Sequence, residues 1–398
     1  MYFGPGVAEA LSSSVRYPIL RYADQDTSRE HVRVHRFRLL RFSRRVLDMK
    51  PALQTQQEVQ QYYSEVLETS QDLKTSACCD LQAMPERLKS ILSDIDEEIL
   101  SKFYGCGSPL PQELRGVSVL DLGCGSGRDA YILSKLVGKN GTVVGVDMTA
   151  EQLDVAIRHQ DSQTAKFGYR HPNVEFHLGN IEDLQGIGLE DNSLDLVVSN
   201  CVINLSPHKD KVFQEIFRVL KPGGELYFSD VFVDRRLSAE AMRDPEVYGE
   251  CLGGALYFED FRRLLFQAGC PDFRIVESSS IEIQDPRIKG LVGSARFSSF
   301  TVRAFKLETL EDRCEDYGQF ATYLGTMEEC PEAFLLDDHH LFEAHRPMAV
   351  CGNTTAMIQE TRYSSHFEIV GDRSRHFGLF DCGPSIPVSD PSSTPSCC

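Results

Sequence analysis

Two stretches set a cysteine among residues more familiar from nucleotide-binding enzymes: "SNCVINLS" at 199–206 and "GECLGGA" at 249–255. A third, "FYGCG", carries Cys106. Such cysteines often do no more than fill apolar space. The 13 cysteines of the chain show neither CxxC nor CxxxH spacing, which gives a zinc finger or ribbon little support. The chemistry left for three scattered sulfurs is the binding of a soft trivalent centre that prefers thiolates.

Those sulfurs can act together only if the fold gathers them. The segment "VSVLDLGCGSGRDAYILSKLVG" at 117–138 reads as a strand, a turn with glycines at 123, 125 and 127, and an amphipathic helix. A second strand, "GTVVGVDM" at 141–148, ends in Asp147, placed where a carboxylate can accept both ribose hydroxyls of a nucleotide. Thr149 and Gln152 have the spacing of a capping box for the next helix. Further strands are expected at 174–184, 194–200 and after "KPGG" at 221–224, with a helix at 209–220. This is the rhythm of an open parallel sheet, in which ligands bind beyond the carboxyl ends of strands one and four. Cys201 is the first residue past strand four, which puts it beside the glycine-rich turn.

NAD would suit a similar unit, but its fingerprint wants glycine or alanine where this chain has Arg128. S-adenosylmethionine carries no phosphate and bears a sulfonium cation, so Asp121 and Asp147 suit it better. The run 117–230 resembles a class I methyltransferase. That resemblance implies a cofactor site at Asp121, Gly123, Gly125, Gly127, Asp147, Met148, Asn180, Ile181 and Asn200.

The cysteine contexts narrow the resemblance. "YYSEVL" at 62–67, "LKTSACC" at 73–79, "YGCG" at 104–107, "LDLGCGSGRD" at 120–129, "VVSNCVINL" at 197–205, "GGELYFSDV" at 223–231 and "GECLGGALY" at 249–257 are similar to arsenite S-adenosylmethionine methyltransferases. The resemblance implies four functional cysteines, Cys78, Cys106, Cys201 and Cys251, that bind As(III), and a pocket aromatic at Tyr104. Cys79 adjoins Cys78, so the match leaves open which of the two is the functional thiol. It also implies that Cys78 and Cys106 pass through a disulfide reduced by thioredoxin or glutathione, while Cys201 and Cys251 hold arsenic throughout. Two other readings explain less. A methyltransferase for a sterol or quinone precursor leaves the cysteines idle, and a metalloid-sequestering thiol protein leaves the glycine loop idle.

The chain of 398 residues carries a formal charge of −18, which gives no basic surface for nucleic acid and disfavours anionic membranes. It has no apolar run long enough for a membrane span and no secretory h-region, so a cytoplasmic monomer with reduced thiols is expected. Residues 1–50 hold ten Lys or Arg against five Asp or Glu and read as a basic, poorly ordered arm. A transit peptide there is opposed by Glu9, Asp24, Asp26 and Glu30. The expected plan continues with a cofactor-binding methyltransferase domain at 51–230 that includes N-terminal helices, and an arsenic-binding region at 231–305. A smaller α+β C-terminal domain at 306–382 and a disordered Pro/Ser tail at 383–398, ending in Cys397-Cys398, complete it. The fold class is therefore α/β, a class I methyltransferase doubly wound sheet with a smaller C-terminal domain and flexible termini. His339-His340 after Asp337-Asp338 read as a hydrogen-bonded loop in preference to a metal site.

Overall fold

The computed structural model describes residues 86–103 and 109–382. Cys78, Cys79, Tyr104, Cys106 and the expectations for both termini lie outside the described residues. Short helices α1 (Glu86–Leu92) and α2 (Glu97–Ser101) precede the sheet, the second capped by the Asp96 side chain. Then strands alternate with helices: β1 (Ser118–Leu122), α3 (Arg128–Val137), β2 (Thr142–Asp147), α4 (Ala150–Arg158), α5 (Gln160–Lys166), β3 (Val174–Leu178), β4 (Leu194–Asn200), α6 (Lys209–Val219) and β5 (Leu220–Val233).

The sheet runs in the order β3-β2-β1-β4-β5, all parallel. Strand order reverses between β1 and β4, whose carboxyl ends therefore open a crevice. Four of the five β1 residues are buried, as expected of a strand covered on both faces. Beyond β5 come α7 (Ala239–Arg243), α8 (Pro245–Gly249), the short β6 (Leu256–Tyr257), α9 (Phe258–Gln267), β7 (Phe273–Ile281), α10 (Pro286–Val292) and β8 (Phe297–Phe305). Here β8 pairs antiparallel with β5 and β7 with β8. Residues 231–233 thus continue β5, and the segment 231–305 adds two strands to the same sheet. The segment between β5 and β6, which holds these two short helices and then Cys251, is anchored at both ends to it.

The C-terminal region adds β9 (Glu315–Asp316), β10 (Gln319–Tyr323), β11 (Ala333–Asp337), β12 (His340–Glu343), β13 (Pro347–Val350), α11 (Gly352–Gln359), β14 (Phe367–Val370) and β15 (Gly378–Leu379). Strand β10 lies between β13 and β14, while β11 and β12 form a hairpin. One apolar cluster runs from Phe228, Phe232 and Phe261 through Val302 to Tyr323, Phe334 and Met357, so this region shares the core of the main sheet. Phe261 sits edge-on to Phe232 at 5.2 Å and to Phe273 at 4.8 Å. Such pairs contribute about 0.5–1.5 kcal/mol each beyond area burial.

A buried charge cluster joins the two parts. Glu225 of β5 accepts from Arg303 of β8 at 2.5 Å, and its other oxygen meets Arg362 at 2.5 Å and the Tyr363 hydroxyl at 3.0 Å. Arg303 also donates to the Leu336 carbonyl at 2.8 Å. No helix among the described residues is long and apolar enough to cross a membrane.

Candidate active site

The crevice holds a cavity lined by Asp121, Gly123, Gly125, Asp147, Met148, Asn180, Ile181, Asn200 and Cys201. These residues leave the ends of β1, β2 and β4 and the loop after β3. The turn after β1 has positive φ at Gly123, Gly125 and Gly127. A Cβ on Gly123 would meet Val202 at 2.3 Å, so only glycine lets this turn lie against the segment that follows β4. The Gly125 N–H and Thr149 N–H donate to the two oxygens of Asp147 at 2.9 and 2.8 Å, which fixes that carboxylate at the cavity wall.

Two sequence expectations change here. Gly127 does not line the cavity; a Cβ there would crowd Ala156, Phe176 and Tyr131, so its role is to let α3 pack closely on the sheet. Thr149 is the N-cap of α4, but its side chain makes no capping bond. The hydroxyl turns instead to Asp147, the stronger acceptor, and Gln152 lines the cavity with its side-chain oxygen unpartnered.

The cavity is acidic. Asp121 is 3% exposed, and one of its oxygens lacks a hydrogen-bond partner. Burial, then the nearby charges of Asp129 and Asp147, push its carboxyl well above the ordinary range. Burial also raises Asp147, partly offset by its N–H donors. Arg128 gives Asp121 little relief, because its guanidinium pairs with Asp129 at 2.7 Å and stacks on Phe103. Asp129 in turn accepts from the Asn200 amide at 3.0 Å. A buried carboxylate oxygen with no partner, beside a pinned second carboxylate, fits a cation with ribose hydroxyls and does not fit a pyrophosphate. Cys124, in the same turn, has its thiol pushed up by burial and by Asp121 and Asp147, which makes it an inert packing residue.

Cys201 and Cys251, fifty positions apart, meet at the edge of this cavity: the Cys251 thiol donates to the Cys201 carbonyl at 3.4 Å. Both backbones adopt left-handed φ, 56° and 61°, where a side chain costs strain. The Cys201 N–H donates to the Ser229 carbonyl of β5 at 2.8 Å, which helps hold the turn.

Sequence reasoning missed the polar support behind this pair. Lys209 donates to the Asn204 and Ser206 carbonyls at 2.9 and 2.8 Å. Burial pulls its ammonium down to about 8, against the attraction of Asp230, Cys251 and Glu182. Asp230 accepts from the Asn204 amide at 2.7 Å and is pushed up to about 7 by burial. The Ser206 hydroxyl donates to Glu182 at 2.6 Å on the cavity wall. The only sequence signal for Lys209 and Asp230 was their nearness to strand ends four and five. In the C-terminal region, Asp337 accepts from the N–H groups of His339 and His340 and from the His340 ring, all at 2.8 Å, so these residues form a hydrogen-bonded turn.

A family model described as a methyltransferase domain matches residues 113–269. The chain is 53% identical over 346 residues to an arsenite methyltransferase of Aquipseudomonas alcaligenes, covering 86% of this chain and 99% of that one. It is 40% identical over 318 residues to the arsenite methyltransferase of Homo sapiens, covering 79% and 83%. The crystal structure of an arsenic(III) S-adenosylmethionine methyltransferase from Chlamydomonas reinhardtii matches with a TM-score of 0.73 at 51% identity, over 75% of this chain and 100% of that one.

Proposed function

The chain belongs to the arsenite methyltransferase family, and we propose that it methylates trivalent arsenic held by cysteine sulfurs at the carboxyl edge of the sheet, with S-adenosylmethionine as methyl donor. The observation that carries this reading is the meeting of Cys201 and Cys251 at the rim of a cavity built on Asp121 and Asp147.

Asp147, pinned by two N–H donors, presents its remaining lone pairs to ribose hydroxyls, and Asp121 presents an unpartnered oxygen to positive charge. S-adenosylmethionine, when bound, supplies a methyl group on a sulfonium, a leaving group that accepts the C–S bonding pair as an arsenic lone pair forms the As–C bond. The turn at Gly123 and the left-handed backbones at Cys201 and Cys251 set the sulfurs beside this cavity. Positioning of that kind supplies most of the catalysis in a reaction that needs no acid or base.

Cys78 and Cys106 complete the thiol set in this proposal, with Cys79 as the alternative to Cys78. Thiols near pKa ~8.5 are mostly protonated at neutral pH. Methyl transfer oxidises arsenic formally from the trivalent to the pentavalent state. Two electrons from a cysteine pair restore it, and thioredoxin or glutathione then reduces the resulting disulfide. We further propose a cytoplasmic monomer.

The test incubates reduced protein with S-adenosylmethionine, arsenite and either thiol reductant, and follows methylated arsenic by speciation. Arsenite-dependent consumption of the donor is expected. Donor consumption that needs a carbon, oxygen or nitrogen acceptor and ignores arsenite would overturn the proposal.

A further inference from the structure

Cys314, Cys351 and Cys382 come from three separate segments: the loop ahead of β9, the N-cap of α11 and the chain just past β15. Their sulfurs lie within 4.8 Å of one another. We infer that they form a second thiol site, apart from the catalytic pair, that binds one trivalent arsenic through three sulfurs.

The fold gathers these residues deliberately. Pairing of Gly378 with Asp316 and of Leu379 with Glu315, continued by the Phe380 N–H donating to the Cys314 carbonyl at 2.8 Å, ties two of the segments together. The third is fixed by α11, where the Cys351 sulfur accepts the Thr354 N–H at 3.4 Å as helix cap. None of the three is in a disulfide. Cys314 and Cys382 line a cavity with Arg274, Asp337 and His339, and this cavity shares no lining residue with the one at the carboxyl edge of the sheet.

The donor set decides the ligand. Among the described residues no histidine or carboxylate joins the three sulfurs. The nearby candidates are engaged, Asp337 with Arg274 at 3.2 Å and with His340 at 2.8 Å. Structural zinc almost always takes four protein ligands, whereas trivalent arsenic is satisfied by three soft donors and a lone pair. Charge points the same way. The Arg274 guanidinium lies 3.8 Å from the Cys351 sulfur, a poor neighbour for a dication. Arsenous acid exchanges its hydroxyls for the three sulfurs: each protonated thiol gives its proton to a departing hydroxyl, which leaves as water, a thiolate at Cys351 displaces hydroxide, three As–S bonds replace three As–O bonds, and no electrons move.

The choice of arsenic among thiophilic centres rests on the proposed function, but the two are read separately. The test takes the full-length chain with Cys78, Cys79, Cys106, Cys201, Cys251, Cys397 and Cys398 changed to serine. After reduction, it is equilibrated with arsenite and its bound arsenic is counted by elemental analysis. About one arsenic per chain is expected, with three sulfur neighbours by X-ray absorption, and Cys382→Ser should remove it. If the multiple variant does not fold, the parent chain and its Cys382→Ser single variant decide, with an expected difference of one arsenic per chain. No bound arsenic, arsenic that persists through Cys382→Ser, or one zinc per chain that arsenite does not displace would overturn the inference. Absence of arsenite methylation by the parent chain would instead overturn the proposed function.

Discussion

The two groups of cysteines are built in opposite ways. At the sheet edge, Cys201 and Cys251 sit on left-handed backbone, next to a buried carboxylate with an unpartnered oxygen. In the C-terminal region, Cys351 has ordinary extended φ and caps a helix. Hydrogen bonds from Cys314 and Cys382, with Arg274 beside it, hold its thiol below the usual range. Strain of roughly 1–3 kcal/mol per residue persists only where the surroundings enforce it. A sulfur that must face a second substrate at a set distance warrants that cost. A cluster that only has to enclose one atom does not, and it can be assembled from regular elements.

Sulfur substitutions should separate the groups most sharply. Cys201→Ser or Cys251→Ser should end methylation of arsenite and methylarsenite while donor binding survives, because serine is a hard ligand of low acidity. Cys314→Ser should keep methylation at saturating arsenite. Cys106→Ser, and either Cys78→Ser or Cys79→Ser, should lose the first methylation and keep the second. Product speciation beside calorimetric donor binding checks all of these, and equal losses from both groups would erase the distinction.

Arg303→Met tests the structural side. It leaves the fully buried Glu225 with only Arg362 and Tyr363, and should cost about 3–5 kcal/mol in denaturant unfolding, as breaking buried pairs does. A loss confined to activity would contradict that role. Asp147→Ala tests the cavity. Loss of a charge-assisted bond to ribose, roughly 1.5–3 kcal/mol, should raise the donor KM about tenfold to a hundredfold, with arsenic binding retained.

The smallest effect has the opposite sign. The raised pKa of Asp121 means that the folded state disfavours its ionised form, so its contribution to stability is present in acid and is lost as pH rises through the raised value. Asp121→Asn should therefore raise the Tm of the donor-free protein by a few degrees at neutral pH, and by less on acidification, while weakening donor binding. Thermal scans across pH check it. A gain independent of pH would assign the effect to packing.

Much of the cavity was legible in sequence because parallel strands write themselves locally: β1, β2 and β4 are apolar runs that end at glycine, Asp147 and Asn200. Their carboxyl ends then lie together by topology alone. The capping box failed because spacing cannot reveal that Asp147 competes for the Thr149 hydroxyl. Lys209 and Asp230 were illegible because their environment is set by a loop folding over β5. Cys314, Cys351 and Cys382 were the least legible of all. Two-residue strands bring Cys314 and Cys382 together, and two residues carry no periodicity.

Glu225 takes its partners from β8 and from the C-terminal region. A chain ended after Phe305 would lack Arg362 and Tyr363, and would bare the apolar face on which Phe334 and Met357 pack. The cell would treat such a product as misfolded protein. A frameshift ahead of the Arg362 codon should thus behave as a null allele, recessive where one intact copy suffices, and not as a shorter working enzyme.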